Sequence, residues 1–89
     1  MASLLVLKGA NQGQSIPLST DKVILGRDPN CQVVLNGTAV SRTHALILRL
    51  QEKFFLEDLK SRNGTFLNNE PITGRKQLKN NDRIKICDF

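Results

Sequence analysis

Between Thr38 and Ala45 the chain reads Thr-Ala-Val-Ser-Arg-Thr-His-Ala, which places a serine hydroxyl, a guanidinium and the only imidazole of the molecule within four residues. Serine offers a small donor, and arginine offers a planar, permanently charged fork. Together they suit an oxyanion with several oxygens better than a neutral ligand. The stretch lies between a turn at Asn36-Gly37 and an apolar run that starts at Ala45, as expected of a loop held by a strand. A second arginine, Arg27, follows Gly26 at the end of the apolar run Val23-Ile24-Leu25 and precedes the turn residues Asp28-Pro29-Asn30. It is therefore displayed at a strand end. These residues point to recognition of a phosphate.

The elements that must position them are short and numerous. Ser3 to Leu7 and Gln14 to Leu18 read as strands around a glycine-containing reversal, Lys8 to Gly13, with Pro17 at an edge or an end because it cannot donate to a ladder. Val23 to Leu25 and Gln32 to Leu35 follow. Ala45 to Leu50 and Lys53 to Asp58 flank Gln51-Glu52 as a hairpin, so that Leu50 faces Lys53, Leu48 faces Phe55 and Ile47 faces Leu56. Both faces of this hairpin are apolar, so it is either covered on both sides or exposes a patch. Thr65 to Leu67, a tight turn at Asn68-Asn69, Glu70 to Ile72 with Pro71 at an edge, a short segment anchored by Leu78, and Arg83 to Ile86 complete the chain. No segment has helical periodicity of useful length. The pattern predicts an all-β sandwich or barrel.

The 89 residues allow one small domain, read as 1–89, and the 39% of hydrophobic residues place its core on Leu, Ile, Val and four Phe. The formal charge of +5 favours anionic partners without choosing among them. Cys31 and Cys87 form no CxxC or Cys/His cluster, so the reading is of buried reduced thiols with no metal and no cofactor. No stretch is long enough to span a bilayer, and the start lacks a secretory signal, so the expected compartment is the cytoplasm.

Gly26-Arg27, then Ser41-Arg42-Thr43-His44-Ala45, then Asp58-Leu59-Lys60-Ser61-Arg62-Asn63-Gly64-Thr65-Phe66-Leu67-Asn68 resemble, in order and spacing, the three signature blocks of a forkhead-associated (FHA) domain. The third block is the specific one. The resemblance implies a sandwich of two twisted sheets whose loops at one end bind phosphothreonine peptides in signalling. By position, it implies that Arg27 and Ser41 hold the phosphate and that Arg42 and Arg62 add charge. It also implies that Asn63 fixes the peptide main chain, while Gly26, His44, Gly64 and Thr65 support the loops. On residue type alone, Arg42 and Arg62 read almost equally well as solvated cations. A phosphothreonine carries about −1.5 to −2 charges at neutral pH, and each charge-assisted bond to it contributes roughly 1.5 to 3 kcal/mol.

The chain departs from the family pattern in four places. Asn68-Asn69 stands for Asn-Gly, and Asn81-Asp82 stands for Gly-Asp. The chain stops at Cys87-Asp88-Phe89, where the family usually continues into another strand. That predicts a missing or truncated last strand, and either a fragment of a longer polypeptide or a partner covering the open edge. Positions 46 and 48 are commonly polar in the family, so Leu46, Leu48 and Phe55 are expected to form an exposed patch for self-association into a homo-oligomer or for docking.

Three other functions compete. Ser41, His44 and Asp58 can be written as a hydrolytic triad, but two of them flank one short loop with no nucleophile elbow, so no catalytic residue is assigned. Nucleic-acid binding rests on thirteen scattered basic residues with phenylalanine as the sole aromatic type, and is disfavoured. A degenerate FHA fold serving as a phosphate-independent scaffold is the third.

Overall fold

The computed structural model describes residues 3–9, 12–87 and 89. The reversal read at Lys8 to Gly13 therefore falls partly outside the described residues, at Ala10 and Asn11, as does Asp88 in the final segment. Among the described residues there are ten strands and no helix: β1 (Ser3–Leu5), β2 (Ser15–Pro17), β3 (Lys22–Gly26), β4 (Val33–Val34), β5 (Ala45–Leu50), β6 (Lys53–Asp58), β7 (Phe66–Leu67), β8 (Glu70–Pro71), β9 (Arg75–Gln77) and β10 (Ile84–Lys85).

The β5–β6 hairpin is the centre of a five-stranded sheet of order β4-β3-β5-β6-β9, in which only β4 runs parallel to its neighbour. Its register is Leu50 to Lys53, Leu48 to Phe55 and Ile47 to Leu56, as the two-residue polar break predicts. Gln51 and Glu52 take φ of 52° and 67°, and Asn68 and Asn69 take 51° and 71°. Positive φ at both central residues matches the right-handed twist of flanking strands, and asparagine accepts it far better than glutamine or glutamate does. A three-stranded sheet, β10-β7-β8, and the β1–β2 pair supply the opposing layer.

Alternation along the strands decides which side chains enter the sandwich. Val23, Leu25, Ala45, Ile47 and Leu56 project from the five-stranded sheet into one buried cluster with Leu18, Leu35, Val40, Ile72 and Ile86. Leu4 and Ile16 from the β1–β2 pair, and Leu67 and Ile84 from the three-stranded sheet, pack against that cluster. Fully burying a side chain such as Ile47 or Leu56 stabilises the fold by about 1.5 to 3 kcal/mol.

Two expectations need correction. Arg75–Gln77 was not anticipated as a strand, yet β9 pairs with Phe55, Leu56 and Glu57 along the sheet edge. All three of its residues are exposed, so no apolar alternation marks it, and its register comes from the ladder and the Arg75–Glu57 ion pair at 3.2 Å. Leu46, expected in an exposed patch, is buried, whereas Leu48 and Phe55 are half-buried. Leu46 lies in mid-sheet, with Ile24 and Glu57 beside it on the neighbouring strands.

Candidate functional site

The site forms at the end of the five-stranded sheet where β3 finishes, β5 begins and β6 finishes. Gly26 is there for space. A Cβ on it would lie 2.1 Å from the Arg42 carbonyl oxygen and 2.8 Å from the Arg42 carbonyl carbon, so no side chain fits. This close approach lets the 41–44 backbone lie along the end of β3. The Arg27 N–H donates to the Ser41 carbonyl at 3.0 Å, the Asp28 N–H to the Arg42 carbonyl at 3.1 Å, and the His44 N–H to the Leu25 carbonyl at 2.8 Å. Arg27 Nε donates to the Val40 carbonyl at 3.0 Å, which fixes the guanidinium and leaves its Nη pair as the part of the fork that Val40 does not use. The buried Val40 side chain anchors the loop from below.

His44 is fully buried. Its Nδ1 accepts the Ser41 N–H at 3.1 Å, and its Nε2 lies 2.8 Å from the Gly64 carbonyl. An imidazole with its proton on Nε2 makes both bonds at once, tying the first loop to the second. Both ring nitrogens are thus occupied by backbone groups. Neither is on the Ser41 hydroxyl, so the hydrolytic triad is not assembled.

The second loop, 59–64, is braced by Asp58. Its Oδ1 accepts the hydroxyls of Ser61 and Thr65, the latter at 2.7 Å, and its Oδ2 accepts the Ser61 N–H at 3.1 Å. Burial alone would raise the Asp58 carboxyl, but the Ser61 and Thr65 hydroxyls and the Ser61 N–H outweigh it and hold the carboxyl below its ordinary value. Gly64 has φ of +81°, a conformation that favours glycine, and Thr65 is buried.

Two bonds bring the loops together at their exposed rims. The Arg62 N–H donates to Ser41 Oγ at 3.0 Å, and Asn63 Nδ2 donates to the Ala39 carbonyl at 2.7 Å. Ser41 Oγ accepts in this bond, so its own proton is still available to a ligand. Arg27 and Arg42 line a shallow open pocket with Asp28 and Pro29, and Asp28 Oδ1 accepts the Asn30 N–H at 2.9 Å. These bonds hold the backbones of the loops that carry Arg27, Ser41–Arg42 and Arg62–Asn63 against one another, with Gly26, His44, Gly64 and Thr65 at the contacts between them.

Sequence reasoning missed the carbonyl groups of Ala39 and Val40, which orient Asn63 and Arg27. Backbone acceptors leave no side-chain signature, although an isolated valine in a polar loop is a hint of an anchor. The cysteines also differ from expectation. Both are half-buried, because their thiols sit at loop margins and point at carbonyls: Cys31 Sγ is 3.4 Å from the Arg42 oxygen and Cys87 Sγ 3.3 Å from the Ala39 oxygen. Burial and the nearby Asp28 carboxylate raise the Cys31 thiol above its ordinary range. Among the described residues no helix is long and apolar enough to cross a membrane.

Comparison with known proteins gives this geometry a family. The model of the FHA domain matches residues 23–87. The oxoglutarate dehydrogenase inhibitor of Corynebacterium jeikeium (strain K411) is 35% identical over 88 residues, an alignment that covers 99% of this chain and 60% of the inhibitor. The chain thus spans 60% of the inhibitor's length, and only 20% of that of the regulatory protein EmbR. The structure of Mycobacterium tuberculosis EmbR with a low-affinity phosphopeptide superposes with a TM-score of 0.88 at 32% identity, covering 97% of this chain and 22% of that one. The N-terminal FHA domain of Saccharomyces cerevisiae Rad53p, solved with a phosphothreonine peptide, gives 0.78 at 26% identity, covering 89% and 77% respectively. Matched over more than half its length by the family model and sharing this fold, the chain belongs to the FHA domain family.

Proposed function

We propose that the chain is a phosphothreonine-dependent recognition module, a part of signalling rather than an enzyme, whose partner is a phosphorylated protein or peptide. The observation that carries this reading is the Arg27–Ser41 arrangement. An arginine fixed through Nε and a hydroxyl fixed through an accepted N–H present their remaining donors from two adjacent loop backbones. Arg27 and Ser41 hold the phosphate, Arg42 and Arg62 supply further positive charge, and Asn63 engages the main chain of the peptide. The side chains of Arg27, Ser41 and Asn63 are each held by a backbone contact, so less ordering entropy remains to be lost there on binding. Micromolar affinity corresponds to only about −8 kcal/mol, so loss of the Arg27 contacts removes a large share of it.

The test is an oriented phosphothreonine peptide library screened against the wild type and Arg27→Ala. The expected result is retention of phosphorylated peptides by the wild type alone, with one flanking position enriched. Equal retention by both proteins would overturn the assignment. Binding indifferent to phosphorylation and steeply weakened by salt would favour the nucleic-acid reading instead.

A further inference from the structure

Away from the loops, the outer face of the five-stranded sheet carries an apolar stripe that the phosphate reading does not use. The pairing of β3, β5, β6 and β9 puts Ile24, Leu46, Glu57 and Arg75 in one cross-strand row, and Lys22, Leu48, Phe55 and Gln77 in the next. Leu50 and Lys53 pair in a third. None of Ile24, Leu46, Leu48, Leu50 or Phe55 belongs to the core cluster or packs against it, whereas the alternate residues Val23, Ile47 and Leu56 do. The stripe is thus separate from the interior, and it opens outward at Leu50, which is 44% exposed.

The charges in these rows that lack an ion-pair partner among the described residues are basic. Lys22 and Lys53 flank the stripe and make no ion pair among the described residues, while Glu57, the only acid in these rows, is tied to Arg75. A second copy of the chain would present the same lysines and, within these rows, no unpaired carboxylate to meet them. We infer that this face docks a partner segment of amphipathic, acidic character, whose apolar side chains cover Leu48, Leu50 and Phe55 while its Asp or Glu residues reach Lys22 and Lys53. Apolar burial supplies adhesion, and the lysine rim supplies selectivity and register.

The probe is a synthetic amphipathic helical peptide with a Leu/Phe stripe bordered by glutamates, together with a twin in which lysines replace the glutamates. Each is titrated into the isotopically labelled chain. The glutamate peptide is expected to bind at least tenfold more tightly than its twin and to shift amides of β3, β5 and β6 rather than those of 38–44. Lys22→Glu with Lys53→Glu should invert the preference. Lys8→Glu with Lys85→Glu makes the same change in net charge elsewhere and should leave the preference in place. Phosphopeptide retention by the face variants should equal that of the wild type, which separates this surface from the loop site. Equal affinity for the twins, an inversion produced by the control pair, or sedimentation showing a dimer that Leu48→Ser dissociates would overturn the proposal.

Discussion

At one end of the β5–β6 hairpin Ala45 meets Asp58, and the polar groups there are bonded both within their loops and across to the neighbouring loop. His44 spans Ser41 and Gly64, Asp58 collects Ser61 and Thr65, and Asn63 reaches Ala39. At the other end Gln51 and Glu52 turn the chain within two residues, exposed and in a left-handed conformation that neither residue type prefers. The first end is fixed by local bonds and by bonds between distant segments together, and the second only has to reverse direction. Preorganisation is concentrated where loops from three connections must hold donors in fixed positions, whereas local strain is tolerated where only connectivity matters.

The largest effect is expected from Gly26→Val, whose side chain would meet the Arg42 backbone. A loss of about 4 kcal/mol or more in urea denaturation is predicted, and a loss below about 1 kcal/mol would show that the loop can shift aside. His44→Ala should cost about 2 to 4 kcal/mol, because it opens a cavity and orphans the Ser41 N–H and the Gly64 carbonyl. Both substitutions should abolish phosphopeptide retention as well, since they act through the loop positions.

Acid comes next in size. The Asp58 carboxyl titrates below its unfolded value of about 3.9, as does that of Asp82, which accepts from the Asn68 amide and the Lys79 N–H. The folded state keeps both groups ionised to lower pH than the unfolded chain does, so their contribution to stability is complete well above that value. It is lost as pH falls through the lower, folded values, because the unfolded chain binds the proton first. The urea midpoint should therefore fall with decreasing pH from about pH 5 downward, and Asp58→Asn should flatten part of that fall. The smallest effect is a gain. Glu52→Gly should relieve the left-handed residue and stabilise the hairpin by about 0.5 to 1 kcal/mol, without altering ligand binding.

The same contrast explains what could be read from the residues. The hairpin register was legible because a two-residue polar break between apolar runs admits one symmetric pairing, and Pro17 and Pro71 marked strand ends or edges as their missing N–H requires. That the loops carrying Arg27, Ser41 and Asn63 lie against one another was legible only through the spacing of three motif blocks. No local pattern says that chain segments more than twenty residues apart touch. What escaped has physical reasons. β9 is an edge strand of polar residues stabilised by its neighbour. The need for glycine at position 26 comes from another segment's backbone, at a φ that any residue could adopt. Leu46 is shielded from solvent on the outer face of the sheet, a matter of neighbours on other strands and not of its own position in an alternating pattern.

The central claim is that Arg27 and Ser41 share one phosphate dianion, and 31P NMR of a phosphothreonine peptide titrated in pH with and without the protein tests it most directly. A phosphate held by a guanidinium and a hydroxyl should keep its second charge to lower pH, so its apparent pKa should fall clearly below the free value of about 6 and return toward it with Arg27→Ala. A bound phosphate that titrates as the free peptide does, or whose titration is unchanged by Arg27→Ala, would contradict the account.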